Sequence, residues 1–424
     1  MRFLRPAATA LLLLGLLTSA GAQENTPPRV LLIGFASLPA RTFAEGPPSG
    51  QFAQSANGVT LPFAEQPVQG VSSVLLLGGA RRECYALLDN GYGAKGNSAD
   101  FILRFYRLTP SFRTLLDGQS NIAVDSFVSL RDPDKKAGFP IIAERTNYPN
   151  SKIPVAEEIK RQRLLTGADF DLESFRRAPD GTFWFGDEFG PFLIHTDATG
   201  KLLEAPYPVP NALRIGENPL IQSPSNPLLG TAKPNLPDSG GFEGTALSTD
   251  GKMLYCLLEK TVIGDTDPLR LLIYPFELAT KRFAEKPLFY RKEKPEHSIG
   301  EMTAVNEHEM LVIERDNNEG EKAAFKRVYL IDIDAKDEQG YVKKTLVADL
   351  LKIADPRNLS GYARNGIFRF PFFTIESVAI WDKRTLLIAC DNNLPGSAGR
   401  TPGKPDDNEF ILISLPEPLR LPNP

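Results

Sequence analysis

Four segments of this chain repeat one pattern, a Glu set at a fixed place in a short apolar run: Phe170-Asp-Leu-Glu173-Ser-Phe, Gly241-Phe-Glu243-Gly-Thr-Ala, Ile299-Gly-Glu301-Met-Thr-Ala and Thr374-Ile-Glu376-Ser-Val-Ala. Each leads through a turn to a second apolar run that closes on acid: Trp184-Phe-Gly-Asp187-Glu188, Tyr255-Cys-Leu-Leu-Glu259, Leu311-Val-Ile-Glu314-Arg-Asp316 and Ile388-Ala-Cys390-Asp391. A fifth copy, Gly70-Val-Ser-Ser-Val through Tyr85-Ala-Leu-Leu-Asp89, lacks the Glu. Glu173, Glu243, Glu301 and Glu376 lie 70, 58 and 75 residues apart. A unit of that size made of short strands reads as a propeller blade, since a single small sheet cannot bury both faces unless it stacks on the next.

Outside these copies the chain reads as short strands punctuated by Asp-Gly, Gly-Gly, Pro-Asp and Asn-Asn, so the expected fold class is all-β. Helical periodicity is confined to Val155 to Leu165, which predicts one short helical insertion with Glu157, Glu158, Lys160 and Arg161 on its exposed face.

The first 22 residues carry Arg2 and Arg5, an apolar run from Ala10 to Leu17 and the small-residue end Ala20-Gly21-Ala22, the pattern of a signal peptide cleaved near Ala22. No other stretch is apolar enough to span a bilayer, so the expectation is one secreted or periplasmic domain over residues 23–424. At roughly 65 to 70 residues per unit, those 402 residues hold about six blades, one of them closed by strands from both termini. The formal charge of −4 becomes −6 without the leader, and Lys and Arg are scattered, which argues against nucleic acid as a partner. Cys84, Cys256 and Cys390 are far apart and lie in strand-like runs, the pattern of buried free thiols rather than a disulfide framework.

The hairpins place the acids. If Glu173 opposes Glu188, the midpoint falls on Asp180-Gly181, a dipeptide suited to a tight turn; the same reasoning centres the others on His308-Glu309 and Lys383-Arg384. Each copy then leaves and returns at one end, and the acids crowd around one mouth of the channel. Glu173, Asp187, Glu188, Glu243, Glu301, Glu376 and Asp391 become candidate metal ligands, for so many carboxylates repel one another unless a cation compensates. Calcium takes six to eight oxygens in irregular geometry and suits such a set. The competing reading pairs these acids with Arg315, Lys260 or Arg400 as struts between blades.

Other motifs are weaker. Gly91-Tyr-Gly93-Ala-Lys-Gly96 fits a dinucleotide loop by letters, but a strand follows where a helix is needed. No Gly-x-Ser-x-Gly elbow is present, and His195, His297 and His308 are not at zinc spacing, although His297 precedes Glu301 by four residues and is placed near the mouth. The last copy joins Asp391-Asn392-Asn393 to Gly399-Arg400 and Asp406-Asp407, a combination of carboxylate, amide and guanidinium suited to an anionic substrate.

Segments running from Leu38-Pro-Ala-Arg through Leu165-Thr-Gly-Ala-Asp-Phe-Asp-Leu-Glu173-Ser, Gly186-Asp-Glu-Phe-Gly-Pro191, Gly241-Phe-Glu243-Gly and Thr374-Ile-Glu376-Ser to Asp391-Asn-Asn resemble the "esterase-like activity of phytase" family. The resemblance implies a propeller-like fold and phosphoesterase or esterase activity, by kinship with calcium-dependent propeller phytases. It supplies no catalytic residues, and Ser72 or Ser73 in place of the first Glu argues against a fully symmetric metal ring.

The expected function is therefore calcium-assisted hydrolysis of a small anionic ester by a monomer, with Glu173 and Glu188 catalytic and Arg315 or Arg400 orienting the phosphate. A carboxylesterase or lactonase is a close variant. The alternative is a non-catalytic propeller that binds or scaffolds at the cell envelope.

Overall fold

The inner strands are buried on both faces, which is why their sequences run apolar almost without alternation. Outer strands such as Asn121–Ser129 and Val342–Asp349 expose every second or third residue and carry the polar positions. A computed structural model describes residues 29–78 and 83–422, and the expected signal peptide lies outside them.

Among the described residues the strands form five mainly antiparallel units, the first strand of each packing against the first strands of its neighbours, and a parallel bridge between Ser37 and Asn121 joins the last unit to the first. The first blade comprises Val71–Gly78, Glu83–Leu88, Arg104–Ser111 and Asn121–Ser129, and the second begins with Leu172–Arg177, Phe183–Asp187 and Phe192–Thr196. Phe242–Leu247 and Met253–Leu258 open the third, and Ser298–Ala304 and Glu309–Arg315 the fourth. Thr374–Asp382, Thr385–Asp391 and Asn408–Ser414 form the fifth, whose outermost strand is Leu31–Leu38 from the start of the chain. The closure by both termini expected from the sequence is thus present, with Leu31 opposite Ser414 and Leu38 opposite Asn408.

Five separate apolar clusters fill the five gaps between neighbouring blades, the last joining the fifth to the first through Leu387, Ala389 and Phe410 against Val74, Ala86 and Tyr106. The ring is therefore a closed β-propeller of five units, against the expected six. The count was too high because long excursions, over residues 39–65, 130–171, 211–241 and 350–373, absorb chain that an even division gives to another blade. One excursion holds the expected helix, Glu157–Gln162, whose acidic first turn and left-handed Arg163 cap suit the helix dipole and its termination. No helix among the described residues is long and apolar enough to cross a membrane. Cys84, Cys256 and Cys390 are buried and unpaired. No helix follows Gly91-Tyr-Gly93; the segment is a loop, Asn90 Oδ1 accepting from the Tyr92 and Gly93 N–H groups.

The hairpin turns lie at the end away from the acids. Ala178 and Thr182 bond across Asp180-Gly181, and Asp382 pairs with Thr385 around Lys383-Arg384, as expected. In the fourth blade Val305 bonds Glu309, so the turn is centred slightly before His308-Glu309.

Candidate functional site

A β-bulge recurs at the start of every inner strand. Pairing skips one residue between Val71 and Ser73, Leu172 and Ser174, Phe242 and Gly244, Ile299 and Glu301, and Ile375 and Ser377. The skipped residues are Ser72, Glu173, Glu243, Gly300 and Glu376; a bulge releases its residue from the ladder and re-aims its side chain. A second ring follows each second strand: Asp89, Glu188 and Glu259 donate their N–H to the carbonyls of Gly70, Asp171 and Gly241, and Arg315 and Asp391 pair with Ser298 and Thr374.

Glu173, Glu243 and Glu376 of the first ring, the whole second ring and Asp171 line a cavity of about 290 Å³, with eight carboxylates and, among the described residues, Lys260 and Arg315 as its cations. Single oxygens of Asp171, Glu173 and Glu188 lie within 4.8 Å of one another, as do those of Glu173, Glu243 and Glu376 and those of Glu188, Glu243 and Glu259. Arg315 Nη2 lies 3.3 Å from Glu259, 3.4 Å from Glu376 and 3.7 Å from Glu243. Its Nη1 donates to Asn317 Oδ1 at 2.6 Å. Ser72 donates to Glu376 Oε2 at 3.2 Å, and Ser239 to Glu188 Oε2 at 2.6 Å.

Those bonds do not satisfy the cluster. Glu188 Oε1 and Glu243 Oε1 are buried with no hydrogen-bond partner, a state that is costly for a carboxylate unless a cation or proton compensates. Burial first, and neighbouring carboxylates second, push the proton affinities of Asp89, Glu173, Glu188, Glu243 and Glu376 well above the ordinary range. Burial raises Asp171 and Asp391 to about 6. Asp171 accepts from the Asn90 N–H at 3.2 Å and from Asn90 Nδ2 at 2.7 Å.

Four sequence-derived candidates fall elsewhere. Glu301 is one residue beyond the bulge of its strand. Gly300 holds the ring position, where a Cβ would come within 1.9 Å of the Ile375 carbonyl oxygen. Glu301 accepts from Ser73 Oγ at 2.6 Å and pairs with Arg176 at 2.9 Å, deeper in the channel. Asp187 turns to backbone, accepting from the N–H groups of Asp171 at 2.9 Å and Gly190 at 2.7 Å. Arg400 binds Glu409, with Nε to Oε1 at 2.7 Å, beneath the rings of Tyr362, Phe368 and Phe372, and lines a separate cavity with Arg364 and Arg369. His297 is bound to Glu314 at 2.8 Å and does not line the mouth. Glu314 and Asp316 are likewise engaged, with Lys344 and Lys326. Asp171 escaped the sequence reading, although it stands two residues before Glu173, and Asp89 and Glu259 close their copies but were not placed among the ligands.

With this geometry the comparison with known proteins is direct. Residues 66–394 match the Phytase-like family, described as "Esterase-like activity of phytase". The chain belongs to that family. This phytase-like chain is also 28% identical over 188 residues to an uncharacterized secreted protein of Arthroderma benhamiae, covering 37% of the chain and 36% of the relative. It thus spans about a third of the length of that relative. Among solved structures, an endo-arabinanase from Bacillus licheniformis is similar over 82% of this chain and 93% of its own, at 8% identity and a TM-score of 0.37. A glycosyl hydrolase from Bacteroides ovatus is similar over 92% and 97%, at 13% identity and 0.40, and virginiamycin B lyase from Staphylococcus aureus over 82% and 95%, at 10% and 0.32. At such scores the propeller is read from the phytase-like chain's own strand pairing.

Proposed function

We propose that the protein is an exported, monomeric hydrolase of small phosphate esters that holds a divalent cation, calcium by preference, at the acidic mouth. The observation that carries this reading is the pair of buried oxygens without a hydrogen-bond partner, Glu188 Oε1 and Glu243 Oε1, the second 3.7 Å from Arg315, in a cavity whose cations are outnumbered by carboxylates. The donor set is all oxygen and irregular, which suits calcium better than zinc or copper. Glu173, Glu188, Glu243 and Glu376, with Asp171 and Asp391, would hold the ion. Once bound, it would supply Lewis acidity and lower the pKa of a water molecule.

The chain's own groups divide the remaining work. Arg315, buried and fixed by three carboxylates, offers a guanidinium to an anionic ester. Glu173 has a raised proton affinity and lies beside Asp171, their oxygens within 4.8 Å, so it suits a base that takes the proton of the attacking water. Water oxygen bonds to phosphorus, the P–O bond to the alcohol breaks, and the leaving oxygen takes up the proton that Glu173 accepted from the water. Burial of the ring keeps bulk water from screening these charges.

The grip of Arg315 on three carboxylates from the third and fifth blades favours a second reading, a non-catalytic propeller in which these acids are struts. One experiment separates the two: calcium titration of the purified protein, following melting temperature together with phosphate release from an aryl phosphate. Stabilisation with turnover is expected. Stabilisation without turnover supports the scaffold, and no response to calcium removes the metal site.

A further inference from the structure

A second cavity, of about 800 Å³, opens onto the acidic mouth and shares Asp89, Phe373 and Asn393 with it. The mouth alone, at about 290 Å³, is at the lower edge of the ~300–1,000 Å³ typical of small-molecule sites, and the larger space falls inside that range. A molecule whose reacting group sits at the mouth has room here for the rest of its body.

The chemistry of this lining is selective. Phe52, Tyr92 and Phe373 present aromatic surface, and Lys322 is its one cation. Arg315 is assigned to the reacting phosphoryl group, and Lys260 is held by Glu259 and the Asp238 carbonyl, so neither remains for additional anionic groups. Glu319 carries the second observation: it is half-buried and lines the cavity, and among the described residues its Oε1 meets only the Ala398 N–H, at a long 3.4 Å. An ionised carboxylate accepts only, so it asks for a donor. A hydroxyl supplies one, whereas an ionised phosphate adds a second acceptor and a like charge.

We propose that this cavity binds the non-reacting part of the substrate, and that this part is an uncharged, hydroxyl-bearing ring such as a hexose, attached to a single phosphoryl group. The assignment rests on the phosphoesterase reading of the mouth and narrows it: the ring lies against the aromatic faces, a hydroxyl donates to Glu319, and Lys322 offsets the one remaining anionic charge. Substrates carrying several phosphates meet Asp89 and Glu319 with one ammonium to balance them.

The test is calorimetric titration of the calcium-loaded protein with a hexose 1-phosphate and with a hexose 1,6-bisphosphate, phosphate release being assayed separately. The monophosphate is expected to bind at least tenfold more tightly. Glu319→Ala and the exposed Lys322→Ala should each weaken it about tenfold, raising KM with little change in kcat, the mark of contacts made equally in ground and transition states. Because Lys322 is exposed, its variant reports on binding even if Glu319→Ala folds poorly. Equal or tighter binding of the bisphosphate, or unchanged binding in both variants, overturns the proposal. Selective binding without phosphate release upholds the cavity and rejects the hydrolase reading instead.

Discussion

Arg315 Nη2 lies 3.4 Å from Glu376 Oε1 although the two side chains come from different blades and 61 residues apart in sequence. The contact marks where the carboxylate ring is interrupted. In four units the second strand is followed by an acid, in the fourth by this guanidinium, and the adjacent bulge position in that unit is Gly300. The arrangement has one cation built into the ring and leaves Glu188 Oε1 and Glu243 Oε1 without a hydrogen-bond partner.

Replacing Arg315 by Met should therefore raise the dependence on external cation. Removing one partner of a buried ion pair costs about 3–5 kcal/mol, and the loss should be larger in chelator than in calcium. Thermal melts of wild type and variant under both conditions measure the difference; equal losses would show that the ring and the ion are independent.

Stability should also fall as pH rises in the absence of metal. Asp171 and Asp391 bind protons with a pKa of about 6 in the fold against 3.8 ordinarily, so between those values the folded state holds more protons than the unfolded chain. Unfolding then releases protons, and the stabilisation present below pH 4 is lost as pH climbs through 6 and beyond. Melting in chelator should drop by on the order of 5 °C between pH 4.5 and 7.5, and calcium should restore it at the higher pH.

Glu243→Gln keeps the shape of the side chain and removes one charge from the ring. Calcium affinity should fall at least tenfold, while the metal-free protein melts no lower than wild type, since a buried charge under mutual repulsion has been deleted. Calorimetric titration and a melt in chelator check the two halves.

Glu301 supplies the contrasting case. Its partner Arg176 also donates to the Met302 carbonyl at 2.7 Å and to Thr303 Oγ1 at 3.1 Å, tying the second blade to the fourth across the channel. Arg176→Met should cost about 3–5 kcal/mol by stranding Glu301, and the double variant Arg176→Met/Glu301→Gln should recover most of it. Neither should alter the increment in melting temperature that calcium gives, which the paired melts read directly.

Much of this was legible in the sequence because it was periodic. The all-β class, the blade-like unit, the closure by both termini and the gathering of Glu173, Glu188, Glu243, Glu376 and Asp391 at one mouth all follow from strand length, turn position and repetition. The misplacements share a physical origin. A strand presents its side chains alternately, so a shift of one residue changes what each side chain meets. The letters of Ile299-Gly-Glu301 align with those of Gly241-Phe-Glu243, whereas the bulge, set by the close approach of the Ile375 carbonyl, falls on the glycine. Arg400 was drawn toward the mouth by sequence neighbourhood alone, and the aromatic cluster that takes it is built by residues 362–372, which no local pattern connects to it. Blade number escaped for a related reason, since the excursions between units are unequal.

The strand that latches the ring bears on how the protein is made. Leu31 finds its antiparallel ladder partner in Ser414, so nearly the whole polypeptide must be synthesised before the first strand can form its long ladder, the earlier chain offering it short bridges at Arg113 and Asn121. Blades can assemble in order as they emerge, but the circle, and with it the juxtaposition of Ser72 and Glu376 at the seam, forms only after the final strand is available. Completion of the site is thus tied to completion of the chain, and a product truncated before residue 408 would lack both its fastening and its seam.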